Sequence, residues 1–313
     1  MAKIRVAVIH ITLFLLTFFT TTLAGVSWLN KDFLELSNFH YGLPYSLSLL
    51  LILSAHEFGH FFAAQYYGVK TTLPYFIPIP HFLFNPFGTM GAVIRIRSLL
   101  PSKKVIFDIG IAGPIAGLVA TLVILSYGYM TLPGEEYIYS IHPEYLLMDK
   151  LPEGGLTFGN SIFFWGLSEL LAYSSSPLPM NEIYHYPYLC VGWFGLFVTA
   201  LNLIPVGQLD GGHILYALVG RKKHSAIART FFGILVALGI SGLFPMLEGI
   251  SYIETIGWLV WAFLLYFVVK LDHPEIIDVE PLSPHRQILG WLTFVTFILI
   301  FTPIPFSGQL TPS

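Results

Sequence analysis

Apolar residues in this chain come in long blocks separated by short polar breaks. Windows of about 20 residues, the length of helix needed to cross a bilayer, mark apolar stretches near residues 6–28, 43–68, 105–127, 188–214, 229–247, 255–270 and 287–304. The pattern predicts an all-α polytopic membrane protein with about seven transmembrane helices. Six is the alternative, because 255–270 is short and 229–247 contains glycines and Pro245, so either stretch suits a shallow or re-entrant segment.

Two segments between the blocks differ in kind. Residues 69–100 combine Pro74, Pro78, Pro80 and Pro86 with aromatics, then Gly88-Thr89-Met90-Gly91 and a strand-like run from Ala92 to Arg97. This reads as a loop with a small β-hairpin. It is apolar for a solvated loop, and irregular backbone at membrane depth needs protein or a wet cavity around it. A re-entrant hairpin satisfies that condition, and a hairpin touching the headgroups is the alternative. Residues 129–187 form an acidic extramembrane loop with Glu135, Glu136, Glu144, Asp149, Glu153, Glu169 and Glu182, partly helical around Ile162 to Tyr173. About 60 residues is marginal for an independent core, so a cap or substrate filter is expected.

Composition strengthens the membrane reading. Hydrophobic residues make up 55% and charged residues 11% of the chain, against about 25% charged in an ordinary soluble domain. The lipid bilayer is therefore the expected surrounding. Basic residues give the orientation, because Lys and Arg concentrate in cytoplasmic loops. With a cytoplasmic N-terminus, all but Lys31 and Lys150 of the 15 Lys and Arg residues fall inside. Lys3 and Arg5 before the first apolar stretch also resemble a signal peptide, with Ala24 and Gly25 near its end; the length of the stretch favours a retained helix. A net charge of -3 without a basic block excludes nucleic acid as an expected partner. Cys190 is the only cysteine. An intramolecular disulfide and a Cys-rich metal cluster are thereby ruled out.

Inside the second block lies His56-Glu57-Phe58-Gly59-His60, an H-E-x-x-H motif. A carboxylate at the centre of a membrane helix costs about 2.5 to 3.5 kcal/mol on insertion scales, so it needs a partner. A divalent metal is the simplest. On a helix, His56 and His60 share one face while Glu57 sits a step round, within reach of a water beside the metal. A catalytic zinc usually takes a third protein ligand. The candidate is Asp210, in Asn202-Leu203-Ile204-Pro205-Val206-Gly207-Gln208-Leu209-Asp210-Gly211-Gly212, where proline and glycines should loosen the helix and turn the carboxylate inward.

With H-E-x-x-H at His56 to His60, N-x-x-P-x-x-x-x-D-G at Asn202 to Gly211, and the Gly-rich run Gly110-Ile111-Ala112-Gly113-Pro114-Ile115-Ala116-Gly117, the chain resembles the site-2 protease family of intramembrane zinc metalloproteases. The resemblance covers residues 43–214. It implies one Zn²⁺ ion held by His56, His60 and Asp210, and Glu57 as the catalytic base that takes a proton from water and passes it to the leaving amine. It also implies a role for Asn202 at the substrate backbone or oxyanion. Substrates of that class are membrane-anchored regulators or remnant signal peptides. The organisation expected is a first transmembrane helix and outer loop (1–42), a catalytic membrane core containing the acidic loop (43–214), and C-terminal transmembrane helices (215–313).

A transmembrane substrate must unwind before cleavage, and the hairpin edge offers a place to hold it by β-augmentation. Gly91, Val93 and Arg95 are the substrate-binding candidates. Gly113 and Gly117 form a small-xxx-small pair suited to close helix packing. His213 is expected at a helix end, and His10, His81, His142, His185 and His273 have no partner spacing and are expected to be structural or solvated. Two other classes stay open: a non-catalytic relative that binds membrane proteins, and a metal or ion transporter using intramembrane His and carboxylate groups. A bacterial inner membrane is the expected location, with a plastid membrane as the alternative. Oligomeric state is not written in the sequence.

Overall fold

The computed structural model describes residues 2–80, 87–98, 101–148, 151, 155–171, 178–243, 252–276 and 280–308. His81 and Pro86 of the expected loop lie outside them. The chain is mostly helical: α1 (Ala2–Trp28), α2 (Leu43–Tyr66), α3 (Lys103–Met130), α4 (Glu135–Ile141), α5 (Ile162–Leu171), α6 (Pro187–Asn202), α7 (Asp210–Ser241), α8 (Tyr252–Leu264) and α9 (Pro284–Ile300), with strands β1 (Tyr75–Pro78), β2 (Thr89–Val93), β3 (Thr157–Phe158) and β4 (Phe306–Ser307). Among the described residues, four helical spans are long and apolar enough to cross a membrane: Ile4–Trp28, Leu36–Tyr66, Lys103–Met130 and Asp210–Ser241.

The stretch 188–214 is not one continuous helix. It breaks after Asn202, and α7 starts at Asp210 and comprises two helices joined at Gly220, the second of which carries the basic segment that the apolar pattern had placed in a loop. Arg221, Lys222, Lys223 and Arg229 are good helix formers, so the polar segment is helical immediately after Gly220. The adjustment falls on Gly220, whose φ of 75° kinks α7. Only glycine adopts that conformation at little cost.

Two compact units emerge, each built from discontinuous segments. The first holds Met1–Ser98, Ile115–Pro152 and Leu167–Gly195. In it, α1 and α2 approach at Gly25, where an added Cβ would lie 2.7 Å from the Tyr45 Cβ. A small residue at the crossing is what membrane helix packing requires. Thr17, Thr21 and Thr22 hydrogen-bond back to their own helix, and Thr21 Oγ1 meets Ser46 Oγ at 2.6 Å across the two. α1 also carries the hairpin: the His10 ring meets the Pro74 carbonyl at 2.9 Å, and Thr20 donates to the Gly88 carbonyl at 2.7 Å. β1 and β2 pair antiparallel, Tyr75 opposite Val93 and Phe76 opposite Ala92. The regular strand is thus Thr89–Val93, earlier than the Ala92–Arg97 run, which continues only as a Thr71 to Ile96 bridge.

The second unit holds Leu99–Pro114, Glu153–Gly166 and Leu196–Ser313. Here α7 packs on α8 at Gly239, whose Cβ would lie 2.6 Å from Leu259, and on α9 through Phe231 and Phe297. Gly290 of α9 admits Phe107 and Leu218 to within 2.9 Å of where a Cβ would stand. Asp108, a carboxylate placed in a crossing by the sequence, receives two bonds of 2.8 Å from the Arg286 guanidinium. Such a paired fork is the geometry best suited to carboxylate. β3 and β4 form a short antiparallel pair through Phe158 and Phe306.

Candidate metal centre

α2 begins with Pro44 in its first turn, where the missing N–H costs nothing. It ends on Gly68, φ 67°, whose N–H reaches Gln65 while that of Val69 reaches Ala64. Between these stops its buried residues recur three and four apart: Leu49, Ile52, Leu53, His56, Glu57, His60 and Ala64. The period that builds the packed face therefore also carries both histidines inward. His56 is 7% and His60 6% exposed. Their rings meet edge to face with centroids 4.8 Å apart, and the two Nε2 atoms are 3.1 Å apart. Two nitrogens on one tetrahedral zinc, each at about 2.0–2.1 Å, would stand about 3.3 Å apart, so the pair fits one ion with little rearrangement. Glu57 is buried beside them at 7% exposure.

The third helix makes room for this pair. A Cβ on Gly117 would fall 3.1 Å from the His56 Cβ and 3.2 Å from its Nδ1. The glycine-rich run predicted close packing, and what Gly117 packs against is the first histidine of the motif.

Asn202 and Asp210 belong to the second unit, at the two ends of the turn between α6 and α7. Asn202 closes α6. Pro205 lies in this turn, the N–H of Val206 bonds to Ile204 at 2.8 Å, and that of Leu209 to Val206 at 3.2 Å. Gly207 takes φ 57°, donates to the Leu271 carbonyl at 3.2 Å, and touches the Lys270 carbonyl so closely that no Cβ fits. Gly211 is equally tight on the Leu203 carbonyl and Gly212 on that of Gly207. The glycines following the aspartate thus let the turn fold back over the start of α7. Asp210, half-buried, is the first residue of that helix, where exposed N–H groups favour a negative charge. From α3, Gly110 fits against His213, with a Cβ position 3.0 Å from the His213 Cβ and 3.5 Å from the Asp210 carbonyl.

His213 starts a feature missing from the sequence reading. Its Nδ1 meets His273 Nε2 at 2.8 Å, His273 Nδ1 meets the Pro274 carbonyl at 2.7 Å, and Tyr216 stacks on His273 at 4.2 Å. His273 is buried, and burial lowers its pKa. No spacing rule finds a pair whose members are 60 residues apart.

The substrate-binding candidates lie on the hairpin of the first unit. Val93 is 49% exposed, Arg95 is exposed, and Gly91 takes φ 88°. The amide of Arg95 donates to Thr72 Oγ1 and its carbonyl accepts from the Thr72 N–H, both at 3.0 Å.

The H-E-x-x-H motif thus lies on a helix of membrane length, with both imidazoles buried and close enough to share a metal ion. Residues 44–244 match Peptidase family M50, and the chain belongs to that family. It is 30% identical over 307 residues to probable zinc metalloprotease EGY2, chloroplastic, of Oryza sativa subsp. indica, covering 94% of this chain and 50% of that protein. Identity to probable zinc metalloprotease EGY1, chloroplastic, of Oryza sativa subsp. japonica is 34% over 278 residues, covering 86% and 41%. EGY2 of Arabidopsis thaliana is 25% identical over 298 residues, covering 94% and 48%. The chain spans about half the length of these curated relatives.

Proposed function

We propose that this chain is a zinc metalloprotease that hydrolyses peptide bonds within or next to transmembrane segments of membrane-anchored proteins. The observation that carries it is the buried His56–His60 pair, 3.1 Å between Nε2 atoms, with Glu57 buried beside it on a membrane-length helix. Membership of a peptidase family and relatives named zinc metalloproteases support the same reading. His56 and His60 would hold one zinc ion, with Asp210 as the third ligand. When bound, zinc supplies a Lewis acid that polarises water and the scissile carbonyl.

The protein's own groups do the rest. Glu57 takes a proton on its carboxylate as water attacks and delivers it to the departing amine. Asn202, at the end of α6, donates its side-chain amide to the oxygen on which negative charge develops. The β2 edge holds the unwound substrate segment, with Gly91, Val93 and Arg95 lining its approach. Of the seven expected crossings, α6, α8 and α9 would supply those beyond the four long spans, with the N-terminus cytoplasmic. A plastid membrane matches the location named in the relatives, and a bacterial inner membrane is the other host that suits the same chemistry.

The test is cleavage of a single-span protein substrate by purified enzyme, with zinc quantified. Wild type should cut, Glu57→Gln should keep zinc and lose cleavage, and Asp210→Ala should lose both. Glu57→Gln cutting at the wild-type rate would remove Glu57 as base and end this reading.

A further inference from the structure

A second group of metal-binding side chains lies in the 129–187 segment of the first unit. His142 follows α4, and Glu182 and His185 belong to the turn that leads into α6. One ligand atom from each falls within 4.8 Å of the other two. The Nε2 atoms of His142 and His185 are 2.9 Å apart although the residues are separated by 43 positions. This is why sequence spacing gave these histidines no partner.

Where the remaining polar atoms go decides what the cluster is. His185 Nδ1 lies 2.8 Å from the Trp28 carbonyl. A carbonyl only accepts, so Nδ1 carries the hydrogen and Nε2 presents a lone pair. His142 Nδ1 lies 2.7 Å from Glu144 Oε1. A carboxylate oxygen accepts from the ring, which leaves His142 Nε2 facing His185. The two Nε2 atoms therefore face each other at 2.9 Å.

Glu182 completes the set. It is 1% exposed; its Oε1 accepts from Tyr145 and Asn181, each at 3.1 Å, while Oε2 has no hydrogen-bond partner among the described residues and sits 3.7 Å from His185 Nε2. A carboxyl group this deeply buried needs either a proton or a cation to compensate it. Two imidazole nitrogens and a carboxylate oxygen lie within 4.8 Å of one another, and a divalent cation would convert all three into ligands. Nδ1 hydrogen bonds to a carbonyl and a carboxylate are the supporting contacts that orient histidines toward a metal.

We propose that His142, Glu182 and His185 form a second divalent-metal site of zinc type, separate from the H-E-x-x-H centre. Two imidazoles and a carboxylate are ligands suited to zinc. Through the His185 bond to Trp28, this site ties α4 and the turn before α6 to the end of α1, giving a segment with little core of its own a metal cross-link.

The experiment strips purified full-length protein with chelator, reloads it with Zn²⁺ alone, and counts zinc per chain after desalting. Glu182→Gln, nearly isosteric, and His142→Ala, at a partly exposed position, should each lose one equivalent relative to wild type while the His56→Ala/His60→Ala protein keeps this one. Zinc should raise the Tm of His56→Ala/His60→Ala by about 5 °C at 100-fold excess over Kd, and adding Glu182→Gln should abolish the rise. Zinc counts unchanged by both Glu182→Gln and His142→Ala would overturn the site. So would a higher Tm in Glu182→Gln, because in a metal-free cluster the neutral amide removes a buried charge and donates to the facing nitrogen. Loss of the H-E-x-x-H zinc alone would leave these comparisons intact and count only against the proposed protease mechanism.

Discussion

Gly117→Ala separates stability from function, because the two effects of one methyl group have opposite signs. In an isolated helix the change would stabilise by about 0.5–1 kcal/mol, since alanine loses less backbone freedom than glycine. In α3 the new Cβ would stand 3.1 Å from the His56 Cβ and 3.2 Å from its Nδ1. Ordinary carbon contacts are about 3.5–4.0 Å, so the ring must retreat by roughly half an ångström. Overpacking costs about 1–3 kcal/mol, enough to cancel the helix gain and leave a small net change in Tm. The displaced group, however, is an imidazole whose Nε2 stands 3.1 Å from that of His60. Disturbing the support of a metal ligand typically costs 10–100-fold in affinity or activity. The expected result is a kcat/KM down by about 10–100-fold, with weaker zinc retention against a competing chelator and a Tm shifted by only about 2–4 °C. Gly166→Ala is the control: it is also a helical glycine, with no atom within 4 Å of its added Cβ. It should leave cleavage unchanged. If Gly117→Ala cleaves and retains zinc like Gly166→Ala, the claim that α3 positions His56 is wrong.

Arg286→Ala would leave Asp108, 20% exposed, without its two-pronged partner; partial solvent access reduces the cost of breaking a fully buried pair to about 1–2 kcal/mol. Denaturant unfolding in detergent should show that loss, and Arg286→Lys should recover only part because it cannot supply the fork. Gly207→Ala must hold φ 57° against the Lys270 carbonyl, so a loss of about 2 kcal/mol or more should accompany reduced cleavage; normal stability would show that the turn before Asp210 has another way to close. Asp272 accepts from Ser225 first and Arg229 second, and these bonds hold its pKa below the usual carboxylate value. A depressed folded pKa gives stability that is present above the unfolded value of about 3.9 and lost as pH falls through the folded value. Ser225→Ala should therefore narrow the gap, making stability between about pH 5 and pH 3 less steep in a Tm against pH series; an identical slope would count against the bond.

The readable parts of this protein were those specified by neighbours in sequence. The i, i+4 spacing of His56 and His60 meets only on a helix, and the Pro205 to Gly212 run could hardly continue one, so the histidine face and the break before Asp210 were both legible. Hydropathy alone misplaced the start of α7. It registers transfer to lipid, whereas Arg221 to Arg229 remain helical through backbone bonding and ion pairs to Glu275 and Asp272 made outside the apolar blocks. The His213–His273 and His142–His185 contacts were illegible for a different reason: each joins segments brought together by folding, so neither residue carries a local sign of its partner. Glycine is the exception that links the two scales. Gly117, Gly207 and Gly211 looked like packing or turn residues, and each turns out to face either a histidine or a carbonyl at a distance where a side chain would collide. In a membrane protein with so little charge, the chemistry is positioned as much by where side chains are absent as by the few polar ones present. The strongest test of the site therefore lies in adding a methyl group to its support, where a purely local reading of the motif predicts no effect.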